Sequence, residues 1–372
     1  MVSNCSNLLY SRECVGCRDS AFLEDCVNCS NCFASVGLRN KQYYFKNERL
    51  SKEEYENCVQ EMKGSIPAIS LSYPKRFSHF LNAQNSTGDH IIESRNCLES
   101  FDLKSSQDCR FITTGINAKD VYDYSYFAYP LELSYEGVTS MSYKMLFSIN
   151  NFDCLAVSYS TDCYNAENLF GCIGLSKYQY CILNKQYSKN SYNSLVKKII
   201  AHMNEVPFTD RKGRIYRYGE FFPVELSPFA YNETVAQEYF PLSAESSAEA
   251  GYQWRGKEKE ARTATGDVVQ CAHASLASSC GEQCTGMFRI IPSERAFYQK
   301  MNIPLPQLCP NCRHYQRLKK RNPLKLWHRR CDCKEEGHFH KKSPCSNEFE
   351  TSYSPERKDV VYCEECYGKA VL

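Results

Sequence analysis

Short apolar and aromatic runs alternate with Ser, Asp and Asn along the first half of the chain. Examples are RFITTG (110–115), DVYDYSYFAY (120–129) and CLAVSY (154–159). Each run has the length of a β-strand and is bounded by residues that favour turns. Short strands that follow one another at regular spacing predict a β-solenoid or a stack of β-hairpins.

A four-residue pattern, Ser-x-Asp/Glu/Asn-Cys, recurs among these strands. It occurs as SREC (11–14), SRNC (94–97), SQDC (106–109) and STDC (160–163). In a solenoid the Ser and Asp or Asn side chains bond the turn backbone, and the small apolar Cys stacks inward. Four such cysteines are nine residues apart, namely Cys154, Cys163, Cys172 and Cys181. The pattern therefore predicts an inward cysteine ladder with a nine-residue spacing.

Part of the chain is duplicated. Residues 17–55 align without a gap on residues 154–192, with 14 identities in 39 positions. An extended apolar run in each copy leads to a Ser that begins a helix. Ser51 and Glu54 form a capping-box pattern in the first copy, and apolar residues after Ser188 recur on one helical face in the second.

The duplication divides the chain into regions. We expect a first β-repeat copy over 1–64 and a second over 65–206, each closed by a helix. An aromatic and Pro-rich clasp with a linker follows over 207–262, and a small α+β domain with two zinc sites occupies 263–372. The predicted fold class is mainly β with helices, a duplicated β-solenoid-like unit followed by this zinc-binding domain.

Cysteine pairs in the C-terminal region have the spacing of metal ligands. Cys309 and Cys312 flank Pro-Asn, and C-P-x-C is typical of a zinc knuckle because the turn directs backbone N–H groups at the thiolates. The predicted first site contains Cys280, Cys284, Cys309 and Cys312, with Cys271 and His273 as spare candidates.

A second set of five cysteines follows. It contains Cys331, Cys333, Cys345, Cys363 and Cys366. Tetrahedral zinc takes four ligands, so one of Cys331 and Cys333 is extra, and His338 and His340 are further candidates. Buried thiols without metal are the alternative. A redox C-x-x-C is disfavoured because no βαβ pattern surrounds either pair.

The N-terminal stretch ECVGCRDSAFLEDCVNCSNC carries five cysteines that also resemble a metal site. They are Cys14, Cys17, Cys26, Cys29 and Cys32. In the second repeat copy only Cys17 and Cys26 have cysteine counterparts, while Asn151, Ala166 and Leu169 replace the other three. Ala and Leu suit packing and would remove a ligand set. We therefore interpret these cysteines as packing residues, with a zinc site private to the first copy as the alternative.

Several long phrases resemble uncharacterised proteins of candidate-phyla-radiation (Patescibacteria-type) bacteria. The phrases are NCFASVGLRNKQYYF, YGEFFPVELSPFAYNETVAQEYFPL, FRIIPSERAFYQKMNIPLPQLCPNCRHYQRL and EFETSYSPERKDVVYCEECY. The resemblance implies a C-terminal zinc-binding domain of zinc-ribbon or treble-clef-like type, with structural zinc and no established activity.

A basic run lies between the two cysteine sets. Between Arg313 and Lys342 there are eleven Lys or Arg and three Asp or Glu, with aromatic residues interleaved. Such a segment can track phosphates and stack bases, and a solvated basic helix is the alternative. The candidate phosphate contacts are Arg317, Lys319, Lys320, Arg321, Arg329 and Arg330.

Three classes of function remain, in order of preference. A zinc-binding scaffold or interaction protein comes first, because solenoids offer long faces to partners, and RNA or single-stranded DNA binding comes second. An enzyme comes last, because no HExxH, GxSxG, P-loop or GxGxxG pattern occurs. Its best candidate is a carbohydrate groove with paired carboxylates, lined by Asp120, Tyr122, Asp123 and Tyr124.

Composition agrees with a folded intracellular protein. The net charge is +2 and hydrophobic residues make up 42% of the chain, which excludes a uniformly basic coat and bulk disorder. The chain shows no signal peptide and no long apolar run, so we expect a cytoplasmic protein with reduced cysteines and two zinc ions.

Overall fold

A computed structural model describes residues 2–62, 73–256, 267–275, 284–335 and 344–371. The chain is mainly β, with a β-solenoid of about 14 coils and a C-terminal cysteine-rich region. It divides into two compact units. The first takes its residues from Met1–Glu93, Leu98–Ser100 and Lys325–Leu372, and the second from Ser94–Cys97 and Phe101–Leu324. The domain boundaries at 64, 206 and 262 stay a prediction.

The N-terminal solenoid run belongs to the first unit. Its elements are β1 (Val2–Ser3), β2 (Ser6–Leu9), β3 (Cys14–Val15), β4 (Arg18–Ala21), β5 (Ser30–Phe33), β6 (Gln42–Phe45), β7 (Glu48–Arg49) and α1 (Lys52–Glu61). The ladder is parallel, with Ser6 opposite Arg18, Arg18 opposite Ser30, and Ser30 opposite Gln42. Each partner lies 12 residues further on, so one coil takes 12 residues.

The coil is built from three-residue steps. Every third residue from Asn4 to Asn40 has a positive φ, as at Asp25 (48°) and Asn28 (52°), and the residue after it faces inward. Asn and Asp tolerate this left-handed conformation better than other residues with a Cβ. Three residues per step and 12 per coil give four inward side chains in each coil.

This geometry explains the Ser-x-Asp/Glu/Asn-Cys pattern. In STDC, Ser160 and Cys163 are both fully buried, and Asp162 between them takes the positive φ of 56°. Ser160 Oγ donates to the carbonyl of Ser158 at 2.9 Å and accepts from the N–H of Cys172, one coil later, at 2.9 Å. The inward Ser therefore links successive coils.

The predicted inward ladder is present, but its spacing was wrong. Nine residues are three steps of a four-step coil, so Cys154 and Cys163 lie on different walls of the solenoid. Cysteines that stack directly are 12 residues apart, as Cys5, Cys17 and Cys29 are. The backbone N–H of Cys17 accordingly donates to Sγ of Cys5 at 3.3 Å.

The longer solenoid run lies in the second unit except for Leu98–Ser100, which belong to the first. Its elements are β11 (Arg95–Leu98), β12 (Ser100–Lys104), β13 (Gln107–Ile116), β14 (Ala118–Ala128), β15 (Leu131–Ser140), β16 (Ser142–Phe152), β17 (Leu155–Ser158), β18 (Glu167–Phe170), β19 (Gln179–Ile182), β20 (Lys185–Gln186) and α2 (Lys189–Glu205). From β13 to β19 the ladder is parallel. Its core contains Val121, Leu131, Met145, Val157 and Leu169, all at most 1% exposed.

Both solenoid runs end in the same cap. The last parallel strand turns into an antiparallel partner, β7 or β20, and a helix follows. In the first run Asn47 bonds both the N–H and the carbonyl of Val36, each at 2.7 Å. In the second, Asn184 does the same to Ile173 at 2.8 Å. The predicted N-caps are confirmed, because Ser51 and Ser188 accept from the N–H three residues on.

The aromatic region after α2 packs on the solenoid of its own unit. Tyr159 lies 6.1 Å from Tyr218 and 5.8 Å from Phe222 between ring centroids, and its hydroxyl donates to the carbonyl of Glu220. The segment contains β21 (Phe208–Thr209), β22 (Ile215–Tyr216), α3 (Ala236–Tyr239) and α4 (Ala244–Ala250). Gly251 ends α4 with a φ of 83°, the left-handed conformation that favours glycine at a helix end.

The remaining elements lie in the cysteine-rich region and in the first unit. They are β8 (Lys75–Arg76), β9 (Phe80–Leu81), β10 (Gly88–Ile92), β23 (Val268–Gln270), β24 (Met287–Arg289), α5 (Pro292–Lys300), α6 (Pro310–Leu318), β25 (Trp327–Arg330), β26 (Glu348–Thr351), β27 (Val361–Tyr362) and α7 (Glu364–Val371). In the described ranges no helix combines the length and the apolar character needed to cross a membrane.

Candidate metal centres

Two groups of four cysteines bring their sulfur atoms together. The first cysteine cluster contains Cys271, Cys284, Cys309 and Cys312, and the second contains Cys331, Cys345, Cys363 and Cys366. Within each cluster all four sulfur atoms lie within 4.8 Å of one another. Either cluster could hold a metal ion, because four thiolates at this separation match a tetrahedral ligand set.

A β-hairpin supplies two ligands of the first cluster. Strands β23 and β24 pair antiparallel, with Cys271 directly after the first strand and Cys284 shortly before the second. The N–H of Cys271 donates to the carbonyl of Gly286 at 2.9 Å, which closes the hairpin next to the sulfur atoms. The N–H of Gly286 in turn donates to Sγ of Cys284 at 3.4 Å.

The start of helix α6 supplies the other two ligands. Cys309 is the N-cap, Pro310 takes the first helical position, and Cys312 lies in the first turn. Sγ of Cys309 accepts from the N–H of Cys312 at 3.4 Å, and Sγ of Cys271 accepts from the N–H of Cys309 at 3.2 Å. Backbone donors and the positive end of the helix dipole therefore point at sulfur, which favours thiolates.

The electrostatics of Cys309 agree with this arrangement. Burial acts to raise the pKa of its thiol. Hydrogen bonds from the N–H of Cys312 and from Thr285 outweigh that effect and lower the pKa to about 6. A thiolate is the form that binds a metal.

The second cluster has the same construction. Strands β25 and β26 pair antiparallel, with Cys331 directly after the first and Cys345 shortly before the second. Cys363 and Cys366 lie at the start of α7, and the N–H of Cys363 donates to Sγ of Cys331 at 3.2 Å. A hairpin and a helix start thus each contribute one cysteine pair in both clusters.

The second cluster is more deeply buried. All four of its cysteines are buried, whereas Cys284 of the first cluster is half-buried. Burial raises the pKa of Cys331 to about 12. Removing four thiolates from water is costly unless a cation compensates for their charge, so this cluster holds either protonated thiols or a bound cation.

The structure groups Cys271 with three of the four predicted ligands of the first site. Cys271, a spare candidate in the sequence, joins the cluster, while Cys280 lies outside the described residues. His273 is not in the group, and its Nδ1 is buried without a hydrogen bond in the described part of the chain. Cys271 has no C-x-x-C partner, and its signal was its place directly after the short strand VVQ.

In the second site the group of four sulfur atoms contains Cys331 and not Cys333. Cys331 belongs to the cluster and Cys333 does not, although Cys333 is fully buried and its carbonyl accepts from the N–H of Cys345 at 3.0 Å. His338 and His340 lie outside the described residues. The assignment of all these residues as metal ligands stays a prediction.

The five N-terminal cysteines lie in the solenoid wall. Cys14, Cys17, Cys26, Cys29 and Cys32 are free thiols with at most 1% exposure. Among the described residues their sulfur atoms do not form a group of three or more at ligand distance. Each sulfur donates to the carbonyl two residues earlier, as Cys14 does to Arg12 at 3.2 Å.

The candidate phosphate contacts fall in both units. Arg321 bonds Asp102 and the hydroxyl of Tyr239, and Arg329 bonds Asp332 at 2.9 Å with only 11% of its side chain exposed. Arg330 pairs with Glu348 at 3.2 Å. Arg317, Lys319 and Lys320 are exposed in α6 and just after it.

The predicted carbohydrate groove is wrong for one of its members. Tyr124 points into the core at 1% exposure, where its hydroxyl bonds Thr139. Tyr122 is 42% exposed, and Asp120 and Asp123 take positive φ positions of the coil. The Asp and Tyr pattern thus reflects the three-residue step of the solenoid.

Comparison with known proteins adds no homologue. No protein-family model matches the chain, and no curated protein matches it.

Proposed function

We propose that this protein is a non-enzymatic zinc-binding scaffold in which the two cysteine clusters hold structural zinc ions. The shared construction of the clusters is the observation that carries the proposal. Each presents four sulfur atoms within 4.8 Å of one another, from a hairpin and a helix start. This is the arrangement of zinc-ribbon and treble-clef-like sites, as the resemblance in the sequence implies.

The ligand type favours zinc. Four thiolates in tetrahedral geometry select Zn²⁺ or iron–sulfur chemistry among biological metals. A site with four protein ligands leaves no position for substrate, which is typical of structural zinc. The described cysteines are free thiols, which supports a reducing compartment such as the cytoplasm.

The solenoid supports a scaffold role. Its outer faces carry exposed aromatic side chains, among them Phe111, Tyr122, Tyr143 and Tyr164, each about 40% exposed. Tyrosine is enriched in protein interfaces because it combines a large apolar area with a polar tip. A solenoid repeats such positions at each coil and so offers a long surface to a partner.

Metal analysis of the full chain tests the zinc assignment. Protein dialysed into metal-free buffer is expected to keep about two zinc ions and no visible iron–sulfur absorption. Cys312→Ser and Cys366→Ser should each lose one ion. Cys333→Ser tests the surplus position and should keep both. Cys26→Ser is the matched control, because it removes a buried cysteine of the solenoid.

Several outcomes would overturn the assignment. These are a chain without zinc, an iron–sulfur chromophore, or a Cys26→Ser variant that loses as much metal as Cys312→Ser. If Cys333→Ser loses zinc and Cys331→Ser keeps it, then Cys333 is the ligand and Cys331 is the surplus cysteine.

Nucleic-acid binding is the alternative, and its exposed candidates in α6 and just after it are Arg317, Lys319 and Lys320. Arg321 and Arg329 bond side chains of their own units, which makes them weaker candidates for phosphate contacts. A mobility shift of single-stranded RNA at low salt, lost in a triple Ala variant of the three candidates, would favour this alternative. No shift at low salt favours a protein partner.

A further inference from the structure

A second type of ligand group lies in the first unit. Glu13, His79 and His90 place one ligand atom each within 4.8 Å of the other two. All three side chains are half-buried, with 22–24% of each exposed. They come from three solenoid coils, with Glu13 at a positive φ just before Cys14 and His90 within β10. This group contains no cysteine and plays no part in the two clusters.

Asp89 holds the two histidines in place through hydrogen bonds. Its side chain is 6% exposed, and Oδ1 accepts from the N–H of His79 at 2.8 Å and of His90 at 3.0 Å. The same oxygen lies 2.9 Å from Nδ1 of His79, while Oδ2 accepts from the hydroxyl of Ser352 at 2.9 Å. A carboxylate held this rigidly keeps the proton of His79 on Nδ1.

Nε2 of His79 is then an acceptor. No hydrogen bond to this nitrogen is present among the residues that the structure describes. A buried carboxylate that binds one imidazole nitrogen, and so presents the other to a metal, recurs around metal-binding histidines. In this group Asp89 is the positioning residue, and Nε2 of His79 is the candidate ligand.

The spacing of the other two ligand atoms also fits a metal. Nε2 of His90 and Oε2 of Glu13 are 3.1 Å apart. Two ligands at about 2.1 Å from one ion are about 3.0–3.4 Å apart for bond angles between octahedral and tetrahedral values. The rings of His79 and His90 stack, with centroids 4.5 Å apart and planes at 22° to each other. One nitrogen of each ring lies within 4.8 Å of the other ligand atoms of the group.

The charge of this group suits a divalent cation. With neutral imidazoles, Asp89 and Glu13 give the group two negative charges, which a divalent ion balances. Lys75 and Arg12 pair with Glu24, and Arg12 also interacts electrostatically with Glu13.

We propose that Glu13, His79 and His90 form a third metal site, which binds a divalent cation such as Zn²⁺. Two histidines and one carboxylate give three protein ligands, so water or an oxygen ligand completes the coordination. This site is open where the two cysteine clusters are closed. The proposal does not depend on zinc in the clusters.

Equilibrium dialysis of the full chain against micromolar free Zn²⁺ tests the site. The wild-type chain is expected to bind about three equivalents, one more than remains after dialysis into metal-free buffer. His79→Ala and the isosteric Glu13→Gln should each bind one fewer. The control His202→Ala removes an exposed histidine of α2 and should bind as many as the wild type.

Cobalt substitution separates this site from the clusters. Cobalt bound to cysteine gives a sulfur-to-metal charge-transfer band, whereas a site of nitrogen and oxygen ligands gives weak visible absorption only. Glu13→Gln should lose one cobalt equivalent and leave the sulfur band unchanged. A wild-type chain that lacks the sulfur band would refute zinc binding by the clusters and leave the third site measurable.

Three outcomes overturn the third site. In the first, the wild-type chain binds no metal beyond the two equivalents of the clusters. In the second, Glu13→Gln and His79→Ala bind as much metal as the wild type. In the third, these variants lose metal together with the sulfur band. In each case the group is an ion-pair network of histidines and carboxylates without a metal.

Discussion

The cysteines of the solenoid and those of the two clusters share a spacing and differ in environment. Cys14 and Cys17, like Cys309 and Cys312, form a C-x-x-C pair of buried residues. In the solenoid each sulfur donates a hydrogen bond to a carbonyl oxygen. In the clusters, sulfur accepts from backbone N–H groups.

The direction of these hydrogen bonds differs between most solenoid cysteines and the cluster cysteines, although Sγ of Cys5 in the solenoid also accepts from the N–H of Cys17. A donor must keep its proton, and burial raises the pKa of Cys17 to about 12. Hydrogen bonds with the thiol of Cys26 lower the pKa of Cys14 and Cys29, so this shift is not common to all solenoid cysteines. An acceptor is stabilised as thiolate, and the pKa of Cys309 falls to about 6 against the opposing effect of burial. C-x-x-C therefore identifies a ligand pair where four sulfur atoms also come together, and backbone N–H groups directed at sulfur favour the thiolate there.

The largest test of this difference is the loss of a cluster ligand. We expect Cys363→Ser to abolish protection from hydrogen exchange across 344–371, because structural zinc contributes on the order of 10 kcal/mol to the folding of such small modules. Cys26→Ser should leave protection of this segment unchanged. Equal loss of protection in both variants would show that the two classes of cysteine do not differ.

Alkylation measures the same difference without mutation. Burial raises the pKa of Cys154, Cys163 and Cys172, so at pH 8 these thiols stay protonated and unreactive. After treatment with a zinc chelator, iodoacetamide should modify the cluster cysteines first, as mass spectrometry of peptides can show. Solenoid thiols should react only after the protein is unfolded by denaturant. Modification of the solenoid cysteines in native protein would contradict this order.

The three-residue step that holds the solenoid cysteines can be strained directly. Asn165 has a φ of 50°, so Asn165→Val is expected to destabilise the solenoid by about 1–2 kcal/mol. Asn165→Gly keeps the conformation accessible and is the matched control. The free energies of unfolding come from urea denaturation. If the valine variant is as stable as the glycine variant, the left-handed conformation at this position does not determine the stability of the coil.

The smallest effect is expected from Cys163→Ser. Serine already occupies inward positions, where Ser20 and Ser160 donate to the carbonyl two residues earlier just as cysteine does. The variant should therefore cost about 1 kcal/mol or less and leave the zinc content unchanged. A cost above that of Asn165→Val, measured in the same denaturation series, would mean that the sulfur does more than pack and donate.

The sequence predicts the solenoid, its inward cysteines and its two caps, because these depend on local patterns. Ser51 and Ser188 begin helices through contacts within one turn. The sequence does not reveal the coil length of 12, because the nine-residue spacing of Cys154, Cys163 and Cys172 covers only three of the four three-residue steps in a coil. The signal for the step is the frequent Asn and Asp at positions three residues apart, as at Asp25, Asn28 and Asn31. The grouping of Glu13 with His79 and His90 depends on contacts between distant segments, which no local pattern carries.

The caps at the ends of the two solenoid runs also affect self-association. A parallel ladder ends in a row of unpaired backbone groups that can recruit a strand of another molecule. At β6 and β19 the antiparallel strands β7 and β20 occupy that edge, and α1 and α2 pack beside it. Polymerisation through this end is thereby blocked in each run. The position of the cap residues along the chain therefore determines how many coils each run contains.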